Sequence, residues 1–135
     1  MGATRACVAA VVLLLFLDFC WLYLLGAGSR FMAVARSLEV TARPPWQLVI
    51  VVVAAYILLG CGLCVFAVWP AIDALHSWRA AAWRGALLGL LVYGVYDLTN
   101  LAVFGQAYGL GLALSDVAWG VFVFGVAALG GAMAA

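Results

Sequence analysis

LLVYGVYDLTNLAVFG, residues 90–105, is apolar along most of its length and carries an acid, Asp97, and an amide, Asn100, near its centre. It belongs to one of four long apolar stretches, at residues 6–26, 46–69, 83–104 and 110–133. Each stretch is close to the roughly 20 residues that a helix needs to cross about 30 Å of hydrocarbon. The pattern predicts four membrane-spanning helices, the third with polar side chains inside it.

The composition also indicates a membrane protein. Of the 135 residues, 70% are hydrophobic and 8% are charged. A soluble domain of this size could not bury so many apolar side chains. Helices are favoured over a β-barrel, because strand-like alternation is absent and lipid offers no partners to unpaired backbone groups. The predicted fold class is all-α, a four-transmembrane-helix bundle that forms a single domain over residues 1–135 in the lipid bilayer.

The first apolar stretch shares two features with a signal peptide. Arg5 precedes the apolar run, and GAGS, residues 26–29, is a segment of small residues. The length of the run and Asp18 in its second half argue against a removable leader. The opening MGATRA also lacks the Ser or Thr of an N-myristoylation signal. We therefore expect the first stretch to remain as a span, without a lipid anchor.

The charged and sulfur-containing residues exclude several functions. All six basic residues are scattered arginines, so the chain has no nucleic-acid-binding patch. Cys61-x-x-Cys64 has the spacing of a redox pair, but in an apolar helix without a nearby base these thiols are expected to be structural. His76 is expected to be a solvated loop residue. With one His and no acids at ligand spacing, we predict no cofactor and no metal site.

The connections between the spans suggest their arrangement. SRFMAVARSLEVTARPP, residues 29–45, has helical amphipathic periodicity, which predicts a short interfacial helix between the first two spans, ended by Pro44 and Pro45. GQAYG, residues 105–109, allows only a tight hairpin, so the third and fourth spans should be antiparallel neighbours. Arginines are divided three and three between the two sides. The free amino group and His76 favour both termini in the cytoplasm.

Three acids fall at a similar depth in three spans. Asp18, Asp97 and Asp116 lie six to eight residues from the span ends nearest the first connection, which contains residues 29–45, and the third connection, residues 105–109. At a rise of about 1.5 Å per residue, this depth is about 9 to 12 Å. Other polar or aromatic side chains lie one turn from an acid on the same helix face or at the same depth in the second span. The predicted binding residues are Asp18, Asp97, Asp116, Asn100, Tyr93, Tyr56, Trp21 and Trp119.

Such a layer has a large energetic cost. An ionised Asp near the middle of a span costs about 2.5 to 3.5 kcal/mol on insertion scales. The acids should therefore face inward and be protonated, bound to a cation, or paired with an arginine of the first connection, Arg30, Arg36 or Arg43. Alternatively, the polar groups only tie the helices together by hydrogen bonds. Three acids favour a functional site, because amides would provide the same bonds without the ionisation cost.

The run YGVYDLTNLA, residues 93–102, with DVAWG at residues 116–120 and Asp18-x-x-Trp21, resembles a family of small four-span membrane proteins. The family is catalogued as domain of unknown function, family 2177, and the likeness covers nearly the whole chain. It implies the four-span fold and the same set of polar residues. It supplies no reaction.

Three functions fit these predictions. The first is a small transporter or channel-like protein with a buried acidic site for a proton, a cation or a small polar substrate. Such a short chain would need to form a homodimer to enclose a pathway. The second is a membrane-embedded enzyme that acts on a lipid or isoprenoid through an acid pair. The third is a structural or assembly subunit, in which the polar layer serves only as glue.

Overall fold

The computed structural model describes residues 2–74 and 77–135, and the described residues contain helices without strands. His76, predicted as a solvated loop residue, lies outside the described residues. Within these ranges the α-helices are α1 (Gly2–Phe19), α2 (Ala27–Ser37), α3 (Pro45–Gly62), α4 (Trp69–Asp73), α5 (Trp78–Phe104) and α6 (Leu110–Met133). A π-helical segment, Cys20–Leu24, continues α1, and another, Leu63–Val68, joins α3 to α4.

Among the described residues, four continuous helical segments are long and apolar enough to cross a membrane, which confirms the predicted fold class. They run over Gly2–Leu24, Pro45–Asp73, Trp78–Ala107 and Leu110–Met133, and we call them the first to fourth spans. The second and third spans, at 29 and 30 residues, exceed the stretches drawn from hydropathy alone. The third begins at Trp78 because Ser77 caps it, with its hydroxyl accepting from the Ala80 backbone amide at 3.3 Å.

The third and fourth spans pack against each other along their length as the predicted antiparallel hairpin. Glycines permit this contact. A Cβ atom added at Gly85 would lie 2.3 Å from the Phe124 carbonyl oxygen, and one at Gly89 would lie 2.0 Å from that of Gly120. Both separations are far below van der Waals contact, so only glycine fits. The turn after α5 uses Gly105 with a positive φ of 55°.

The first span packs on the fourth, again through a small residue. A Cβ atom at Gly131 would lie 2.7 Å from the Ala6 carbonyl oxygen and from the Ala10 side chain. Beside this contact, Arg5 donates hydrogen bonds to the carbonyl oxygens of Ala134 and Ala135 at 2.8 and 2.9 Å. The first, third and fourth spans thus form the close-packed part of the bundle.

The second span packs against this bundle through its second half, and its first half reaches the bundle through Tyr56. Leu63, Cys64, Ala67 and Val68 in the π-helical segment are buried, whereas nearly all of residues 48–58 are exposed. Pro70, four residues after Phe66, has no amide hydrogen to offer the Phe66 carbonyl, which accepts a hydrogen bond of 2.8 Å from Arg84 Nε. The first half of α3 therefore stands away from the other spans, and a cleft remains beside it.

The connection between the first two spans differs in detail from its prediction. A helix forms, as α2, but it ends at Ser37, and Glu39 follows with a positive φ of 53°. The prolines were wrongly predicted to end this helix. Pro45 instead begins α3, because proline lacks an amide hydrogen and its fixed φ suits the first turn of a helix. That α2 lies on the membrane surface stays a prediction.

Candidate functional site

The Asp18 carboxylate lies where all four spans meet. It is 5% exposed and is the last buried residue of α1. Trp119 Nε1, from the fourth span, donates to Oδ1 at 2.9 Å. The hydroxyl groups of Tyr56, from the second span, and Tyr93, from the third, each lie 3.2 Å from Oδ2. One carboxylate thus accepts from three neutral donors, each on a different helix.

A second tryptophan–aspartate hydrogen bond joins the first and fourth spans, with the donor now on the first span. Trp21, one turn after Asp18, donates through Nε1 to Asp116 Oδ1 at 2.8 Å, and Trp119, one turn after Asp116, donates to Asp18. The two indole rings stack with their centroids 4.9 Å apart and an angle of 5° between their planes. This reciprocal pairing follows from the repeated Asp-x-x-Trp spacing on two antiparallel helices. We call these four residues the Asp-Trp cross.

Asp97 occupies a separate and fully closed position. It is 0% exposed, and its Oδ1 accepts a hydrogen bond of 2.5 Å from the Tyr108 hydroxyl. Its Oδ2 is buried and has no hydrogen-bond partner among the described residues. Asn100 lies next to the Tyr108 hydroxyl, and the Asp116 carboxyl group lies within hydrogen-bonding range of Asp97. Asp116 therefore links Asp97 to the other residues of the Asp-Trp cross.

A cleft of about 530 Å³ opens beside these groups, between the first span and the exposed half of α3. Asp18 and Asp116 form its polar floor. Aromatic and aliphatic side chains form its walls, among them Trp21, Tyr96 and Val52. Asn100 and Asp97 do not line it. A second cleft, of about 610 Å³, adjoins it on the other side of α3, and its lining is almost wholly apolar.

Helix α2 brings a cation to the mouth of the cleft. The Arg30 guanidinium lies 5.2 Å from the centroid of the Trp21 ring and donates to Ser115 Oγ at 3.4 Å. Of the three arginines predicted to reach an acid, Arg30 is the one near Asp116, whereas Arg36 bonds to the Met32 carbonyl of its own helix. No ion pair forms within residues 2–74 and 77–135, so none of the three acids there is neutralised by an arginine.

Every residue of the predicted site is described, and the structure brings all eight into one region. Seven of them are linked by the bonds and contacts given above, while Asn100 reaches the site only through Tyr108. Sequence reasoning missed Tyr108 and Phe31. Phe31 lines the cleft, and its ring centroid lies 6.2 Å from that of Tyr108. Neither carries a sequence signal for the site, because both belong to connections whose side chains turn back into the bundle.

Burial also affects the side chain of Tyr108, which lies in the third connection, outside the spans. Tyr108 is 2% exposed, and this burial, together with its bond to Asp97, raises the pKa of its phenol well above the ordinary value. Tyr108 is therefore a neutral hydrogen-bond donor at physiological pH. It closes the Asp97 position on the side of the third connection.

Fold and site together define a polytopic helical membrane protein with a buried acidic cluster and an apolar cleft. The whole chain fits one family. A family model described as "Predicted membrane protein (DUF2177)" matches residues 4–133, and the chain belongs to this family. No curated protein and no solved structure matches the chain.

Proposed function

We propose that this protein is a small transporter that binds an organic cation with an apolar body in the cleft, with the positive group of the cation at Asp18. The observation that carries the proposal is the Asp18 carboxylate, 5% exposed in a membrane span, which accepts from three donors and forms no ion pair within the described part of the chain. Neutral donors orient a carboxylate but do not cancel its charge. A bound cation or a proton would cancel it.

The hydrogen-bond donors allow Asp18 to alternate between these two partners. The indole Nε1–H of Trp119 can only donate, so Asp18 Oδ1 stays an acceptor in both states. A tyrosine hydroxyl can donate or accept. Tyr56 and Tyr93 would both donate to Oδ2 when a cation is bound, and one of them would accept from it when Oδ2 carries a proton. Rotation of one hydroxyl group would therefore allow a cation to be exchanged for a proton without a change in the helices.

The cleft favours an organic cation over a bare metal ion. Its volume of about 530 Å³ is in the range of sites for small molecules, and its walls are aromatic and aliphatic. The contact of the Arg30 guanidinium with the face of Trp21 is an example of the cation–π contact that the aromatic walls would offer a ligand. The described residues also hold no group of three or more His, Cys, Asp or Glu that could hold a metal ion.

The test uses the purified chain in liposomes, with ethidium, an aromatic cation, as the probe. Under an imposed pH gradient, the wild type should move ethidium, and Asp18→Asn should reduce the flux to that of empty liposomes and weaken binding at least about tenfold. The substituted amide would keep an acceptor for Trp119 but has no charge. Asp73→Asn, an exposed acid at the end of α4, is the matched control and should keep the flux.

Two results would contradict the proposal. One is ethidium flux by Asp18→Asn at the wild-type rate. The other is the absence of binding and flux in the wild type, with a lipid precursor accumulating in cells that lack the protein. That second result would favour an enzyme acting on a lipid or isoprenoid, which the cleft beside α3 would also admit. Cross-linking in liposomes would show the homodimer that we expect to enclose the pathway.

A further inference from the structure

We propose that Asp97 and Asp116 form a second site, separate from the cation position at Asp18, which binds one exchangeable proton. The proposal concerns a proton and holds whatever the cleft binds. It rests on the closed surroundings of Asp97, on the contact between two carboxyl groups, and on the unequal electrostatic surroundings of the two acids.

The first observation is the unpartnered oxygen of Asp97. The residue is 0% exposed and does not line the cleft, and Oδ2 meets no donor within the described residues. A buried acceptor without a donor costs about 1 to 3 kcal/mol, and more when it is charged. A proton on Oδ2 converts this acceptor into a donor. The Asp116 carboxylate is the acceptor within hydrogen-bonding range.

The second observation is the contact between Asp97 and Asp116. Two carboxylates at hydrogen-bonding range repel each other in a medium of low dielectric constant, whereas a carboxylic acid and a carboxylate attract each other. One proton between them therefore removes the repulsion and satisfies Asp97 Oδ2. No bond breaks other than those to this proton, which comes from water and returns to it.

The third observation shows which acid holds the proton. Asp116 faces the Arg30 guanidinium of α2, accepts from Trp21, and lines the cleft, where water can solvate it. Asp18 of α1 is the remaining charged group near it. Asp97 faces the neutral Tyr108 phenol of the third connection and no basic side chain among the described residues. Asp116 thus keeps the charge, and Asp97 carries the proton.

Tyr108 is a positioning residue for this proton. Its hydroxyl donates to Asp97 Oδ1, which leaves Oδ2 as the protonated oxygen. Tyr108 belongs to the third connection, and Phe31 of α2 lies against its ring. The proton therefore has two exits, through Asp116 to the cleft or past Tyr108 to the third connection. Both exits lie on the side of the first and third connections, so the pair takes up and releases its proton on that side.

The experiment is infrared difference spectroscopy of the full chain in lipid bilayers during a pH titration. The wild type should show the C=O stretching band of a carboxylic acid that disappears as the pH rises, and labelling aspartate with ¹³C at the side-chain carboxyl carbon should shift this band. Asp97→Asn should remove the component of this band that does not belong to Asp18. Asp18→Asn and Asp73→Asn should keep it, which separates this proposal from the function of the cleft.

Tyr108→Phe supplies a second readout that a merely structural role of Asp97 would not produce. Loss of the hydroxyl donor at Oδ1 should shift the C=O band to higher frequency while the band persists. Asp116→Asn should change the pH at which the band disappears. The proposal is overturned if the band is absent in the labelled wild type, or if it survives unchanged in folded Asp97→Asn. Labelled Asp18→Asn keeps the test decisive even if Asp97→Asn does not fold, because its band cannot arise from Asp18.

Discussion

Replacement of Gly89 by alanine tests the packing that places the site. The added Cβ atom would lie 2.0 Å from the Gly120 carbonyl oxygen, whereas ordinary contact begins at 3.4 Å. The fourth span would therefore have to move away by about 1.4 Å, the difference between 3.4 and 2.0 Å. Backbone carbonyls in a helix cannot rotate away, so a side-chain adjustment cannot relieve the contact. Overpacking of this kind costs about 1 to 3 kcal/mol.

The same movement of the fourth span would also disturb the contacts of Trp119 with Asp18 and Trp21. Gly120 follows Trp119, whose Nε1 lies 2.9 Å from Asp18. A displacement of about 1.4 Å away from the third span, the difference between 3.4 and 2.0 Å, would strain this bond and the stacking of Trp119 on Trp21. Gly89→Ala should therefore lower stability and disturb the environment of the indoles together.

The assay is denaturant unfolding in detergent micelles, followed by tryptophan fluorescence and near-ultraviolet circular dichroism. Gly94→Ala is the matched control, because it lies five residues along the same helix and its added Cβ meets nothing within 4 Å. This control should leave the free energy of unfolding unchanged or raise it by up to about 1 kcal/mol, through helix propensity. Equal stability and equal spectra for Gly89→Ala and Gly94→Ala would refute the reasoning.

Two further predictions concern hydrogen bonds of the site. The raised pKa of Tyr108 stabilises the folded state at pH below about 10; above this pH the unfolded chain loses a proton that the folded chain keeps, so the free energy of unfolding should fall by up to about 1.4 kcal/mol per pH unit. Unfolding of the wild type and of Tyr108→Phe between pH 8 and about 11.5 measures this fall. Parallel curves for the two proteins would exclude the role of Tyr108. Trp21→Phe and Trp119→Phe should be non-additive by about 0.5 to 1.5 kcal/mol in a double-mutant cycle, because their rings stack on each other. Pairing Trp119→Phe with Trp83→Phe, whose ring is 70% exposed, should give additive effects, and equal coupling in both cycles would disprove the role of the stack.

The fold was largely predictable because its cause is local. Four apolar segments of spanning length and a five-residue hairpin loop restrict a chain in lipid to a few helical arrangements. The polar residues of the site could be predicted from the sequence for the same reason, since an Asp inside a span is costly wherever the neighbouring helices lie. The ends of α2 were less predictable, because a proline can either follow one helix or begin the next.

The partners of each acid required the tertiary structure. The three acids lie at equivalent depths in their spans. In the structure, however, Asp18 accepts hydrogen bonds from three donors, Asp116 faces the Arg30 guanidinium, and Asp97 accepts from the buried Tyr108 hydroxyl. These differences depend on contacts between residues far apart in sequence, such as Trp119 with Asp18.

The sequence by itself determined that this chain forms four membrane helices and that three of them carry an acid, because hydrophobicity and helical rise act residue by residue. Only the tertiary structure decided that α3 stands away to leave a cleft and that the three acids have different surroundings. The physical reason is that close approach depends on pairs of positions, such as Gly89 opposite Gly120, and on which side chains then meet across the helices.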